Sequence, residues 1–207
     1  MAPKRLTAAR LLGFDRSGPP PPQTGRDAPL RPWTIPNAIG YVRAALIPVI
    51  LVLEYGSAHG TDAGAGVCFF VAGAGDYADG IAARLTGQYS RMGALLDPVI
   101  DRLLVLAGGA VCWSYELLPR WLLVVVLARE LVMLALGQAW LRRGMMLRIN
   151  WPGRIAVGPT MFGIWLALLG VGAVAEGFVI GGVALAIVAT AVYCRDGLRA
   201  LRLSSSA

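Results

Sequence analysis

The sequence predicts an all-α polytopic membrane protein with six transmembrane helices. Hydrophobic residues make up 57% of the 207 residues and only 15% are charged, whereas an average soluble domain has about 25% charged residues. Apolar stretches near the roughly 20 residues that a membrane-spanning helix needs recur along the chain. Most of the 19 basic residues stand at the ends of these stretches and not on one soluble module, which argues against nucleic acid as a partner.

The first 33 residues differ in composition from the rest of the chain. They are basic and rich in proline, with four consecutive prolines at Pro19–Pro22. They lack the apolar core of a signal peptide. We therefore expect a disordered, Pro-rich cytoplasmic tail at residues 1–33, followed by one six-helix domain at residues 34–203.

Six apolar segments are expected to span the membrane. The first ends in a polar turn that contains His59, and the second is rich in glycine, which lets helices approach closely in a bilayer. The third follows a short polar turn, and Pro98 suits its first turn, where a missing N–H matters little. The fourth carries the charged pair Arg129 and Glu130, and the last two are almost wholly apolar. The expected spans are Ile39–Tyr55, Ala63–Leu85, Ala94–Tyr115, Leu118–Leu141, Ile155–Ala175 and Phe178–Leu198.

The charges between the spans predict the orientation in the membrane. One set of termini and loops collects nearly all of the arginines, whereas the opposite loops carry four acids and one arginine, Arg120. Because basic loops stay in the cytoplasm, both termini and the loop between the second and third spans are expected there. The sequence thus predicts a multi-pass protein of the plasma, or inner, membrane.

Four aspartates interrupt the second and third apolar segments. An ionised residue at mid-bilayer costs roughly 2.5–3.5 kcal/mol, so the four together indicate a functional site. Helical spacing places the acids of each segment on one face, together with glycine and arginine. Because the two helices must run antiparallel, we expect four carboxylates in one cavity that opens to the cytoplasm. The two stripes are Asp76, Asp79, Gly80, Ala83 and Arg84, and Gly93, Asp97 and Asp101.

Carboxylate oxygens favour hard divalent cations such as Mg²⁺, Mn²⁺ or Ca²⁺, and zinc is disfavoured because the cluster has no His or Cys. Two such ions would be able to clamp the oxygens of a phosphate group. One alternative is a cation or proton pathway, but the outer halves of both spans are apolar. Another is a purely structural set of ion pairs, for which the nearby basic residues are Arg84, Arg91 and Arg102.

The spacing Asp-x2-Asp-Gly-x2-Ala-Arg-x8-Gly-x3-Asp-x3-Asp resembles the signature of the CDP-alcohol phosphatidyltransferase family at every fixed position. The resemblance implies an enzyme that transfers a phosphatidyl group from CDP-diacylglycerol to an alcohol and releases CMP. It also implies two Mg²⁺ or Mn²⁺ ions, membrane lipids as surroundings and a homodimer. The non-enzymatic alternative is a divalent-cation transporter.

The resemblance also implies roles for individual residues. Asp76, Asp79 and Asp97 would hold the metal ions, and Asp101 would bind the second ion and act as the general base on the acceptor hydroxyl. The residues implied to contact CDP-diacylglycerol are Gly80, Ala83, Arg84, Ser90, Gly93 and Asn37.

The acceptor alcohol must be read from other segments. The stretch Thr34–Arg43, followed by Pro48, is similar to phosphatidylglycerophosphate synthases and to the related cardiolipin synthases, except for Gly40. We therefore expect glycerol 3-phosphate as acceptor, with phosphatidylglycerol as the alternative and an inositol phosphate third. Arg129 and Arg154 are predicted to bind an acceptor phosphate through their fixed donor fork, although Arg129 and Glu130 would also suit a neutralising ion pair.

Overall fold

The computed structural model describes Gln23, residues 28–142 and residues 151–204. Over these residues it is all-helical, as the sequence predicts, apart from short turns and an irregular segment before the first long helix. Most of the expected disordered tail at residues 1–33 lies outside the described residues. The long helices are α1 (Ile35–Gly56), α2 (Ala63–Thr86), α3 (Arg91–Ser114), α4 (Arg120–Arg142), α5 (Trp151–Leu168) and α6 (Gly172–Ser204).

The apolar character of these helices is uneven. Among the described residues, α1 and the Gly172–Val192 part of α6 are long and apolar enough to cross a membrane, and Val157–Leu168 in α5 is a shorter apolar stretch. Aspartates, together with many glycines and alanines, lower the hydropathy of α2 and α3. The six helices are confirmed, whereas six membrane crossings stay a prediction.

The boundary between the fifth and sixth helices differs from the prediction. The predicted fifth span runs to Ala175, but α5 ends at Leu168 and Ala175 already belongs to α6. The N–H of Val171 donates to the carbonyl of Leu166, and the N–H of Gly170 donates to that of Ala167, both at 2.9 Å. This is the Schellman pattern of a helix end, and Gly170 takes the required left-handed conformation at φ 78°. The predicted sixth span, Phe178–Leu198, lies within α6, which begins six residues earlier at Gly172.

The chain divides into two compact units. The first comprises Met1–Val52 and Val67–Leu104, and the second comprises Leu53–Gly66 and Val105–Ala207. The core of the first unit includes Ile50, Phe69, Ala72, Ile100 and Leu104, each at most 2% exposed. The buried side chains of the second unit include Val111, Leu122, Ile164, Leu168 and Val179. All four aspartates belong to the first unit.

Helices α5 and α6 of the second unit approach each other through glycines. A Cβ atom on Gly163 would lie 2.8 Å from the backbone oxygen of Ala175 and 2.9 Å from the backbone nitrogen of Val179. A Cβ atom on Gly182 would lie 2.7 Å from the backbone nitrogen of Thr160. The two glycines thus permit a backbone separation that larger residues would prevent.

Candidate active site

The acid-bearing faces of α2 and α3 meet a buried arginine from α1. Arg43 is only 1% exposed. Its Nη1 atom donates to Oδ2 of Asp79 at 2.9 Å and to Oδ1 of Asp76 at 3.4 Å. Its Nη2 atom donates to Oδ1 of Asp101 at 2.6 Å. One guanidinium group therefore pairs with three of the four predicted site aspartates, which come from two different helices.

The same arginine is also bonded to the backbone. Nε of Arg43 donates to the carbonyl oxygen of Ala72 at 2.8 Å. The i→i−4 helical bond and this additional bond are both possible because a carbonyl oxygen has two lone pairs. All three kinds of guanidinium nitrogen, Nε, Nη1 and Nη2, therefore have an acceptor within α2 or α3.

The three paired aspartates differ in exposure. The side chain of Asp79 is 6% exposed, compared with 38% for Asp101 and 51% for Asp76. A buried carboxylate is stable only when it is paired and hydrogen-bonded, and Asp79 has the buried Arg43 as its partner. Asp76 and Asp101 keep part of their surface open to a ligand.

Asp97, the fourth aspartate, lines a cavity of about 190 Å³ together with Asp79. The cavity is bounded by α1, α2, α3 and the turn between α2 and α3. Its wall contains every residue that the resemblance implies for contact with CDP-diacylglycerol, namely Asn37, Gly80, Ala83, Arg84, Ser90 and Gly93. The structure thus brings these six residues together, and their ligand stays a prediction.

Asn37 is fixed by hydrogen bonds within the wall of this cavity. Its Nδ2 atom donates to the carbonyl oxygens of Arg31 and Pro32, each at 3.0 Å. Its Oδ1 atom accepts a bond from the hydroxyl of Ser90 at 2.9 Å, and that hydroxyl accepts a bond from the N–H of Gly93 at 3.0 Å. Asn37 and Ser90 are both buried, so they shape the cavity by joining the segment before α1 to the start of α3.

Two glycines leave room in this cavity wall. A Cβ atom on Gly93 would lie 2.8 Å from Oδ1 of Asn37 and 3.3 Å from Oγ of Ser90. A Cβ atom on Gly80 would lie 3.4 Å from Nη1 of Arg84, so the guanidinium group of Arg84 lies over this glycine. A larger residue at position 93 would disturb the hydrogen bonds of Asn37 and Ser90. At position 80, the missing side chain leaves the backbone accessible beside the guanidinium group of Arg84.

The donor set suits a hard divalent cation, because it consists of carboxylate oxygens. Among the described residues, however, no three acids, histidines or cysteines are placed closely enough to hold one ion together. Three of the aspartates instead converge on the Arg43 guanidinium group. The carboxylate oxygens have the chemistry that the predicted ions prefer. To bind such an ion, these carboxylates would contact the ion as well as the guanidinium group of Arg43.

The residues predicted for the acceptor lie in the second unit. Arg129 forms an ion pair with Glu130, as the alternative interpretation expects. The Nε atom of Arg129 is buried and has no hydrogen-bond partner among the described residues. Arg129, Glu130 and Thr160 border a small cavity of about 30 Å³. Arg154 lies in α5, but its side chain is outside the described residues.

Arg43 is the site residue that sequence reasoning missed. The bases nearest to the acids in the sequence are Arg84, Arg91 and Arg102, whereas the partner of Asp76, Asp79 and Asp101 comes from α1. The sequence did contain an indication of this role. An arginine inside an otherwise apolar helix costs as much free energy to place in a membrane as an aspartate does, so it needs a partner.

Comparisons with known proteins agree with the family resemblance of the sequence motif. The model of the family described as CDP-alcohol phosphatidyltransferase matches residues 33–192. A Streptomyces coelicolor protein named cardiolipin synthase (CMP-forming) is 36% identical over 144 residues, which are 67% of this chain and 66% of that relative. A Bacillus subtilis protein named CDP-diacylglycerol–glycerol-3-phosphate 3-phosphatidyltransferase is 28% identical over 150 residues, 66% of this chain and 77% of that relative. The chain spans just under two thirds, 66%, of the Mycobacterium and Streptomyces relatives that it matches.

Proposed function

Because this chain belongs to the CDP-alcohol phosphatidyltransferase family, we propose that it transfers a phosphatidyl group from CDP-diacylglycerol to an alcohol and releases CMP. The observation that carries the proposal is the cavity beside Asp79 and Asp97. Its wall combines these two acids with the cation of Arg84 and the small residues Gly80 and Gly93. Such a surface admits a polar phosphorylated group close to the backbone.

The four aspartates are the proposed ligands of two Mg²⁺ or Mn²⁺ ions. A bound ion would offset the negative charge of the pyrophosphate and stabilise the departing CMP. The support for this proposal is the chemistry of the donor set and its position at the cavity. Arg84 is proposed to contact the phosphates of the donor, since a guanidinium group pairs well with phosphate oxygens.

Asp101 is the proposed general base. It would accept the proton of the acceptor hydroxyl as the acceptor oxygen forms a bond to the phosphorus of the phosphatidyl group. The bond between that phosphorus and the oxygen of CMP then breaks, and CMP leaves. The hydrogen bond from Arg43 fixes the orientation of the Asp101 carboxylate, and part of its side chain remains accessible, as a base requires.

For the acceptor, we propose glycerol 3-phosphate, the acceptor in the name of the Bacillus subtilis relative. Phosphatidylglycerol, giving cardiolipin, is the second candidate. It is supported by the higher identity, 36% against 28%, to the Streptomyces coelicolor relative named cardiolipin synthase. Arg129 and Arg154 are the proposed acceptor-binding residues, on the basis of their charge and donor geometry.

We also propose that all six helices cross the plasma membrane, with both termini and the cavity facing the cytoplasm. The apolar character of α1 and of Gly172–Val192 supports membrane insertion, and the arginine distribution supports the orientation. A homodimer is proposed from the family resemblance.

The activity is tested with the purified protein in detergent–lipid micelles. We expect Mg²⁺-dependent release of CMP from CDP-diacylglycerol when glycerol 3-phosphate is supplied. Parallel reactions contain phosphatidylglycerol or inositol phosphate instead, and mass spectrometry of the lipid products identifies the acceptor. Absence of CMP release with every acceptor, together with metal uptake into vesicles, would instead favour a transporter.

The role of Asp101 is tested in the same assay. Asp101→Asn should lower kcat by about 10²–10⁴-fold, the usual contribution of a general base, while CDP-diacylglycerol binding is largely retained. The control is Glu116→Gln, because Glu116 is exposed and pairs only with the exposed Arg120 in the contacts described. Near-normal turnover of Asp101→Asn would exclude this residue as the base.

A further inference from the structure

We propose that Arg43 is a positioning residue, an internal cation that holds Asp79 and Asp101 in place and balances the acid cluster when no divalent ion is bound. The inference rests on the proposed function only for the statement that these acids act in phosphatidyl transfer. The contacts themselves are a property of the fold.

The guanidinium group of Arg43 connects α2 to α3. Its two terminal nitrogens point to different helices, because Nη1 bonds Asp79 of α2 at 2.9 Å and Nη2 bonds Asp101 of α3 at 2.6 Å. Nε is held by the carbonyl of Ala72 at 2.8 Å, which fixes the rotation of the group. Lysine has a single charged nitrogen and would be unable to reproduce this planar fork.

Arg43 and its partner Asp79 are both buried. Arg43 and Asp79 are 1% and 5% exposed, so neither charge is stabilised by water. Removing one member of a buried ion pair leaves the other uncompensated, which costs more than the pair itself contributes. Without Arg43, the acids of α2 and α3 would therefore lie close together only at a large loss of stability.

The side chain of Arg43 occupies space that a glycine of α2 leaves open. A Cβ atom on Gly75 would lie 2.8 Å from both Cγ and Cδ of Arg43. The stem of Arg43 thus lies directly against the backbone of α2, and a methyl group at position 75 would displace it. By contrast, a Cβ atom on Gly73 of the same helix would have no atom of the described residues within 4 Å.

The contacts of Arg43 hold the acid cluster in a defined arrangement. With Arg43 in place, Asp79 and Asp101 are oriented before any ligand arrives, so the cluster loses less entropy when a cation or a phosphorylated donor binds. Without Arg43, the acids would repel one another until divalent ions bind. Divalent ions would therefore partly replace Arg43 in neutralising these carboxylates.

The first test is the thermal stability of Arg43→Gln in detergent, measured in EDTA and in Mg²⁺. We expect Tm to fall by about 10 °C in EDTA, as for the loss of one partner of a buried ion pair. In saturating Mg²⁺ the loss should be less than half as large. An equal loss in both conditions would overturn the proposal, because it would indicate a role in packing alone.

A double variant with the same net charge as the wild type provides a second test that does not depend on activity. Arg43→Gln combined with Asp79→Asn removes both members of the buried pair, so the double variant should regain at least half of the Tm lost by Arg43→Gln in EDTA. Additive losses in the double variant would contradict the proposal, since additivity indicates that the two sites do not interact.

The glycine pair provides a matched test in case Arg43→Gln fails to fold. Gly75→Ala should lower Tm in EDTA by about 5 °C and lower kcat by about 10–100-fold, the effect typical of disturbing residues that orient catalytic groups. Its KM for CDP-diacylglycerol should change by less than about threefold. Gly73→Ala introduces the same methyl group into open space and should leave both properties near those of the wild type. Equal behaviour of the two variants would overturn the proposal, and turnover is not needed for the Tm comparison.

Discussion

At the scale of residues, the site depends on polar side chains that satisfy one another away from water. Asn37 uses both ends of its amide group, donating to Arg31 and Pro32 and accepting from Ser90. Ser90 in turn accepts a bond from the N–H of Gly93. A buried polar atom that loses its partner is costly, so each member of this set constrains the others.

Ser90→Ala tests this arrangement. The change leaves Oδ1 of Asn37 without its donor and the N–H of Gly93 without its acceptor, so we expect a loss of about 1–3 kcal/mol in the free energy of unfolding. The measurement is denaturation in detergent followed by circular dichroism. Ser114→Ala is the control, because the Ser114 hydroxyl is exposed and bonds only Tyr55 in the contacts described. Its effect should stay within about 0.5 kcal/mol, and similar losses in both variants would contradict a special role for Ser90.

The sequence predicted which residues of the cavity lie together but missed the residue that joins the acids. Asp79, Gly80 and Ala83 follow from helical periodicity within one segment. Arg43 is 36 positions from Asp79 and 58 from Asp101, so local spacing contains no information about these contacts. Its low exposure and its three carboxylate partners become visible only in the tertiary structure.

At the scale of elements, hydrophobic patterning predicted the number of helices better than their ends. The predicted fifth span passes through Gly170 because the neighbouring residues are also apolar. The helix nevertheless ends there, since Gly170 at φ 78° closes a Schellman motif. Within a continuous apolar run, only the glycine distinguishes a turn from a helix, and this chain contains 26 glycines.

The close approach of α5 and α6 gives a second prediction. A methyl group at Gly182 would lie 2.3 Å from Oγ1 and 2.7 Å from the backbone nitrogen of Thr160. Because the backbone of α5 would have to move, Gly182→Ala should destabilise the protein by about 1–3 kcal/mol. Within the part of the chain that the structure describes, a methyl group at the neighbouring Gly181 would meet no atom within 4 Å, so Gly181→Ala serves as the control in the same unfolding measurement. Equal stability of the two variants would indicate that this helix contact is looser than described.

At the scale of the whole molecule, the membrane topology is open to direct test. The proposed orientation places the turn between α1 and α2 outside and the turn between α2 and α3 in the cytoplasm. In a background without Cys68, Cys112 and Cys194, a cysteine at His59 should react with an impermeant maleimide added to intact cells. A cysteine at Thr86 should react only after the cells are permeabilised. The reverse pattern would invert the proposed orientation, and equal labelling of both sites in intact cells would exclude it.

The contacts of Arg43 also have a consequence for biogenesis. If α1 enters the bilayer as it is synthesised, its arginine has no acidic partner until α2 and α3 follow, because Asp79 and Asp101 are encoded later in the chain. An isolated arginine inside the bilayer costs up to roughly 2.5–3.5 kcal/mol, the value at the centre of a helix, and the aspartates of α2 and α3 carry a similar cost until they meet it. The first three helices are therefore expected to leave the translocation machinery together as one inserted unit, with the charges joined before they face lipid.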